Sequence, residues 1–96
     1  MKLPKTVSIG GIKYSVKEIK ELRDSDNSKL DGVINYNKLT ISIEADMSED
    51  MKYIILWHEV IHGILNQSDI PHKENLVATL GYGIYGFLRA NKMWWN

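Results

Sequence analysis

Two histidines four residues apart with a glutamate beside the first, His58-Glu59-Val60-Ile61-His62, are the side chains in this sequence best suited to chemistry. On a helix, positions four apart share a face, so both imidazoles can converge on one metal ion. Glu59 then stands where it can hold and deprotonate a water on that ion, the division of labour of an H-E-x-x-H site. From Tyr53 to Leu65, Glu59 is the only formal charge apart from any imidazolium. A carboxylate in so apolar a run is costly to bury unless it is paired or coordinated. The competing reading is a half-buried helix whose histidines and glutamate are hydrogen-bonded core residues. The helical context that the motif requires weighs against it.

A catalytic zinc ion commonly takes three protein ligands and keeps a fourth position open. The extended pattern, with glycine and histidine three and six residues after the second histidine, fails because Leu65 and Ser68 stand there. Glu74 and His72 remain nearby, and two helical residues in that relation point roughly 200° apart, so one ion does not take both. Spacing favours Glu74. Its helical face continues through Ala78, Gly81 and Tyr85, and the two small residues would let that helix approach the motif closely. A glycine inside a helix costs about 1 kcal/mol relative to alanine, which close packing beside a metal site gives a reason to tolerate. His72 stays open as the alternative ligand, and Glu74 also suits the ordinary role of a negative charge at a helix start. A donor for a developing oxyanion would be needed too. Tyr82, Tyr85, Tyr53 and His72 are candidates, with Tyr85 first, although each also makes sense as a packing residue.

These residues need elements to hold them. Thr6 to Ile9 and Ile12 to Val16 alternate apolar with polar around Gly10-Gly11, which predicts a β-hairpin. A second alternating pair, Gly32 to Tyr36 and Leu39 to Ile43, turns at Asn37-Lys38, with Leu39, Ile41 and Ile43 on one face. Glu18 to Arg23 reads equally as strand continuation or a helical turn, and Asp24 to Ser28 as a loop. Its carboxylates lack the spacing, glycine and closing glutamate of an EF-hand, so it reads as solvated. Asp46 and Glu49 have capping-box spacing ahead of a helix over about Ser48 to Asn66. A second helix should open near Pro71 and run to about Asn91, with Leu76, Val77, Leu80, Ile84, Phe87 and Leu88 as its apolar stripe. Strands first and helices after make an α+β domain.

Composition narrows the classes. At 96 residues the chain is one domain, and 44% hydrophobic with 25% charged residues is ordinary for a globular protein. Twelve basic and twelve acidic side chains cancel, which gives no support to a nucleic-acid or anionic-membrane partner. The chain has no cysteine, so thiolate metal sites, disulfides and cysteine nucleophiles are excluded. Met1 to Lys5 lead into no apolar core of a signal peptide. The longest uncharged stretch, Asn75 to Leu88, falls short of the ~20 residues that span a bilayer. A soluble, cytoplasmic protein is expected. Residues 1–50 carry 17 of the 24 charged side chains, which predicts a core in the C-terminal half.

The order of hairpins, His58-Glu59-Val60-Ile61-His62 helix, short loop and Glu74 opening a last helix resembles the gluzincin branch of zinc metallopeptidases. It is most similar to the small prokaryotic and phage-encoded members, the ImmA/IrrE-like group and the mini-gluzincins. The likeness covers about residues 30–91, and its specific part is the motif helix with KENLVATLGYGIYGFL. It implies a minimal zincin-like fold, zinc held by His58, His62 and Glu74, and Glu59 as catalytic base. The activity implied is that of a zinc metalloendopeptidase acting on a peptide or protein substrate inside a bacterial cell or its phage. Ala78 stands where larger relatives often carry an acidic residue, a departure that bears on turnover and not on the zinc ligands. A peptide could add as a strand along an exposed hairpin edge, with Leu39 to Ile43 the first choice. The tail Met93-Trp94-Trp95-Asn96 either packs on the fold or, as the mini-gluzincin likeness suggests, folds into the cleft and restrains the enzyme. Two other classes compete: a zincin-shaped binding or regulatory module with little turnover, and a metal-free structural protein.

Overall fold

The computed structural model describes residues 2–93. Thr6–Ile9 (β1) and Ile12–Ile19 (β2) pair antiparallel, with Val7 opposite Tyr14 and Ile9 opposite Ile12. Gly10 and Gly11 make the turn at φ 57° and 83°, angles that a side chain resists. The segment after Val16 that the sequence leaves ambiguous is strand as far as Ile19. The second hairpin joins Gly32–Asn35 (β3) to Thr40–Glu44 (β4). Its turn is longer than the two residues expected. Asn35 Oδ1 accepts the N–H groups of Asn37 at 3.0 Å and Lys38 at 2.9 Å, its side chain standing in for a backbone turn. That turn carries Leu39 out of the strand at φ 55°. Leu39 is therefore 38% exposed and does not share the face of Ile41 and Ile43, which are fully buried.

The two hairpins join through β2 and β4, which run parallel, so the strand order is β1-β2-β4-β3 and the sheet is mixed. This corrects the choice of Leu39 to Ile43 as an exposed edge. Strand β4 is hydrogen-bonded on both sides, and the free edges belong to β1 and β3. Beyond β2, Asp24 Oδ1 accepts the N–H groups of Asp26 and Ser28, each at 2.9 Å, and orders the acidic loop from within. At the end of β4 the buried Glu44 carboxylate accepts the N–H groups of Leu22 and Asp46, each at 2.9 Å. Those bonds, Asp46 first, hold its pKa below the usual carboxylate range.

Helix α1 spans Glu49–Gln67, and its cap is Ser48, whose Oγ accepts the Met51 N–H at 3.2 Å. The Asp46–Glu49 capping box does not form, because the chain at Asp46 is still turning off β4 against Glu44. Lys52 ties the first turn of α1 to the sheet through Glu18, Nζ to Oε1 at 2.6 Å. The core lies between the sheet and α1, where Leu56 packs with Ile9, Tyr14, Ile41 and Ile43. It does not sit in the C-terminal half as the charge distribution suggested. Alternation along β2 and β4 turns Tyr14, Ile41 and Ile43 inward and leaves Lys13 and Lys17 exposed, so the charged first half still supplies much of the core.

After α1 the chain reverses at Asp69, φ 54°, and Ile70 N–H bonds back to Leu65 O at 3.1 Å, a helix ending built on one left-handed residue. That reversal uses the residues up to Pro71, so the second helix, α2, starts at Glu74 and runs Glu74–Ala90. Among the described elements α2 packs only against α1. Its buried positions are Val77, Gly81 and Tyr85. Of the anticipated stripe, Leu76, Leu80 and Phe87 are 52%, 42% and 59% exposed. The helix is rotated because its narrowest residue faces α1. A Cβ placed on Gly81 would lie 3.4 Å from His58 N and 3.5 Å from His58 Cα and Ile54 O. No described helix is long and apolar enough to cross a membrane.

Gly81 therefore sets the α1–α2 separation. Gly81→Ala should fold normally, its gain of up to about 1 kcal/mol in helix propensity set against a contact near van der Waals distance. Gly81→Leu should lower stability by about 1–3 kcal/mol through overpacking. Thermal or urea unfolding of the two variants checks this, and equal stabilities would contradict it.

Candidate metal centre

Helix α1 presents His58 and His62 side by side, their ring centroids 5.0 Å apart at 61°. The reversal at Asp69 brings the first residue of α2 back over them. Glu74 Oε2 lies 3.2 Å from His58 Nε2, and Oε1 lies 2.6 Å from His62 Nε2. One ligand atom from each of the three residues falls within 4.8 Å of the others. In a tetrahedral zinc site, bonds of about 2.0–2.1 Å place such atoms roughly 3.3 Å apart, so small side-chain adjustments suffice for the set to fit. The two nitrogens and one carboxylate also match the donor types zinc accepts. The histidine side chains are 19% and 12% exposed and that of Glu74 70%, so the cluster opens to solvent on the side of Glu74.

His72 is close but stands elsewhere in the arrangement. Its Nδ1 meets His62 Nδ1 at 2.8 Å, on the ring nitrogen opposite the one that faces Glu74. Of the two candidates for third ligand, Glu74 lies in the cluster, and His72 contacts His62 at its other ring nitrogen.

The carboxylate of Glu59 is buried beneath the edge strand β3, and the residue is 7% exposed. A Cβ on Gly32 would run into Ile55 and lie 3.4 Å from Glu59 Cγ and Oε2, so only glycine lets β3 settle this near the acid. Burial first, and then the negative charge of Glu74, push the Glu59 carboxyl up to about 7; a hydrogen bond from the Ile34 backbone opposes the shift. An acid poised there suits a group that must accept and return a proton near neutrality. His62 is shifted downward, chiefly by burial, with Glu74 opposing and the neighbouring histidines adding to the shift. A neutral imidazole is the form that offers a lone pair to a metal.

The tyrosines named as oxyanion donors face elsewhere. Tyr85 donates to the Asp50 carboxylate in the first turn of α1 and stacks on Tyr53. Tyr53 donates to Lys2 O, and Tyr82 lies 3.9 Å from Met51 Sδ. The tyrosine that does reach the motif is Tyr36, which donates to His62 O at 3.3 Å and whose pKa is raised by burial and by the Glu59 charge. The sequence reads Tyr36 as the last residue of an alternating strand, and the structure ends β3 one residue earlier, at Asn35. The Trp94-Trp95 tail lies outside the described residues.

Glu59 gives a sign-specific test on metal-free protein. Its folded pKa is raised, so the folded state holds the proton more tightly and stability falls as pH climbs from about 4.5 to about 7. A shift of that size corresponds to about 3 kcal/mol, fully expressed above the folded pKa. Glu59→Gln should therefore raise apoprotein stability at pH 8 and leave it nearly unchanged near pH 4, as read by urea unfolding at the two pH values. A variant destabilised at pH 8 would contradict the assignment.

Comparison of the chain with protein-family models, curated proteins and solved structures finds no match. The functional reading accordingly rests on the site itself.

Proposed function

We propose that this chain is a zinc-dependent metallopeptidase of gluzincin type on a minimal zincin-like fold, with His58, His62 and Glu74 holding the metal and Glu59 as general base. The observation that carries this is the convergence of both imidazole Nε2 atoms on one carboxylate, 3.2 and 2.6 Å away, beside a buried acid raised to about 7. A zinc ion bound by those three residues supplies the Lewis acid for water and for the scissile carbonyl. The remaining work falls to the chain's own groups. Glu59 takes the proton of the attacking water and returns it to the leaving amine, which its poise near neutrality suits. The Ile34 N–H keeps the Glu59 carboxylate in place under β3. An extended peptide would add along the free edge of β3, which runs beside that acid.

A second reading has its own support. No tyrosine proposed as oxyanion donor faces the cluster, since Tyr53, Tyr82 and Tyr85 bond to Lys2, Met51 and Asp50. That favours a zincin-shaped binding or regulatory module with weak turnover. Metal analysis and peptidase assays on one set of variants separate the two. Wild type should carry about one zinc per chain, with His58→Ala and Glu74→Ala losing it. Glu59→Gln should keep the metal and lose about 10²- to 10⁴-fold in turnover. Zinc retained with no turnover in wild type selects the binding module, and no zinc in wild type overturns both readings.

A further inference from the structure

His62 is held at both ring nitrogens. Nε2 faces Glu74 Oε1 at 2.6 Å, and Nδ1 faces His72 Nδ1 at 2.8 Å. The rings of His62 and His72 lie nearly parallel, 17° apart, with centroids 5.0 Å from each other. A ligand histidine usually fixes its tautomer by donating its far N–H to a carboxylate, a backbone carbonyl or a water, and the first two only accept. Here the partner is a second imidazole, whose Nδ1 accepts in one tautomer and donates in the other.

The consequence follows from counting protons. In the metal-free protein with both imidazoles neutral, the 2.6 Å contact with the Glu74 carboxylate needs a donor, so His62 carries its one proton on Nε2. The short Nδ1 contact then requires the proton on His72. Once His62 Nε2 turns its lone pair to a cation, its ring proton must sit on Nδ1, and His72 Nδ1 must accept. We infer that His72 is the positioning residue for His62, and that the two rings exchange tautomers when the site fills, keeping their hydrogen bond throughout. The proton on His72 Nδ1 crosses to His62 Nδ1. His62 releases its Nε2 proton to solvent, and His72 takes one from solvent at its own Nε2. The pair as a whole neither gains nor loses charge.

This rests on the metal reading above, and its test is built so that the two can fail separately. Nitrogen-15 NMR of the imidazoles at pH 8 should show His62 as the Nε2–H tautomer and His72 as the Nδ1–H tautomer in metal-free protein. Zinc should reverse both assignments. In the metal-free protein, rings averaging freely between tautomers would overturn the pairing, with or without metal binding, and tautomers unchanged on zinc loading would overturn the exchange. Zinc affinity supplies the second readout. His72→Ala should weaken binding by roughly 10- to 100-fold, and His72→Asn, whose amide can either accept or donate, should restore most of it. Equal losses in both variants, or no loss in His72→Ala, would overturn the positioning role. Failure of wild type to take up zinc overturns the parent reading, and the metal-free NMR pattern still decides whether the pairing exists.

Discussion

The contact on which this molecule's possible chemistry depends is the approach of α2 to α1 at Gly81, directly against the backbone of His58. Helix α2 has no other described element to lean on. Its distance and rotation are therefore set by what its inner face can fit beneath, and at Gly81 that face has no side chain. The same rotation that lets Gly81 touch α1 brings Glu74, two turns earlier, over the two imidazoles. It also leaves Leu76, Leu80 and Phe87 outside. The inner face still buries Val77 and Tyr85 on either side of that glycine. The orientation of α2 thus combines close contact at Gly81 with burial of Val77 and Tyr85.

A second constraint comes from the sheet. Edge strand β3 passes so near α1 that Gly32 leaves no room for a side chain, and Glu59 is trapped between them. A carboxyl held there destabilises the folded metal-free protein once it ionises. Local departures from good packing of this kind concentrate where a group has a task other than stability. The burial that makes Glu59 expensive also sets its proton affinity near neutrality. Burial thus costs stability and raises proton affinity on the same side chain, and the Ile34 N–H opposes both effects.

Much of this was readable from residue order, and the misses have physical causes. The H-E-x-x-H spacing foretold a helical face, and Glu74 and Gly81 foretold a second helix arriving close, because both depend on the 3.6-residue period and little else. The hairpins were readable for a similar reason, through alternation and Gly10-Gly11. What could not be read was long-range. Nothing local in Thr40 to Glu44 announces that β4 will pair with β2 as well as β3, so the sequence points to the wrong strand as the free edge. The Asn35 side chain building its own turn displaced Leu39, and a hydrogen bond between side chain and backbone leaves no periodic trace. The rotation of α2 leaves no mark in a hydrophobicity pattern, which ranks Leu76 and Phe87 above a glycine, whereas close packing favours Gly81. By sequence position alone, His72 competes with Glu74 as a ligand. Which ring nitrogen of His62 each one faces is a matter of three dimensions.

X-ray absorption at the zinc edge of the metal-loaded protein tests the central claim most directly, since it counts the donor atoms around the ion. Four-coordinate zinc with two imidazole nitrogens and a carboxylate oxygen at about 2.0–2.1 Å is the predicted result. Three imidazoles would put His72 where Glu74 is assigned, and a six-coordinate oxygen shell would mean that the two histidines hold no ion between them.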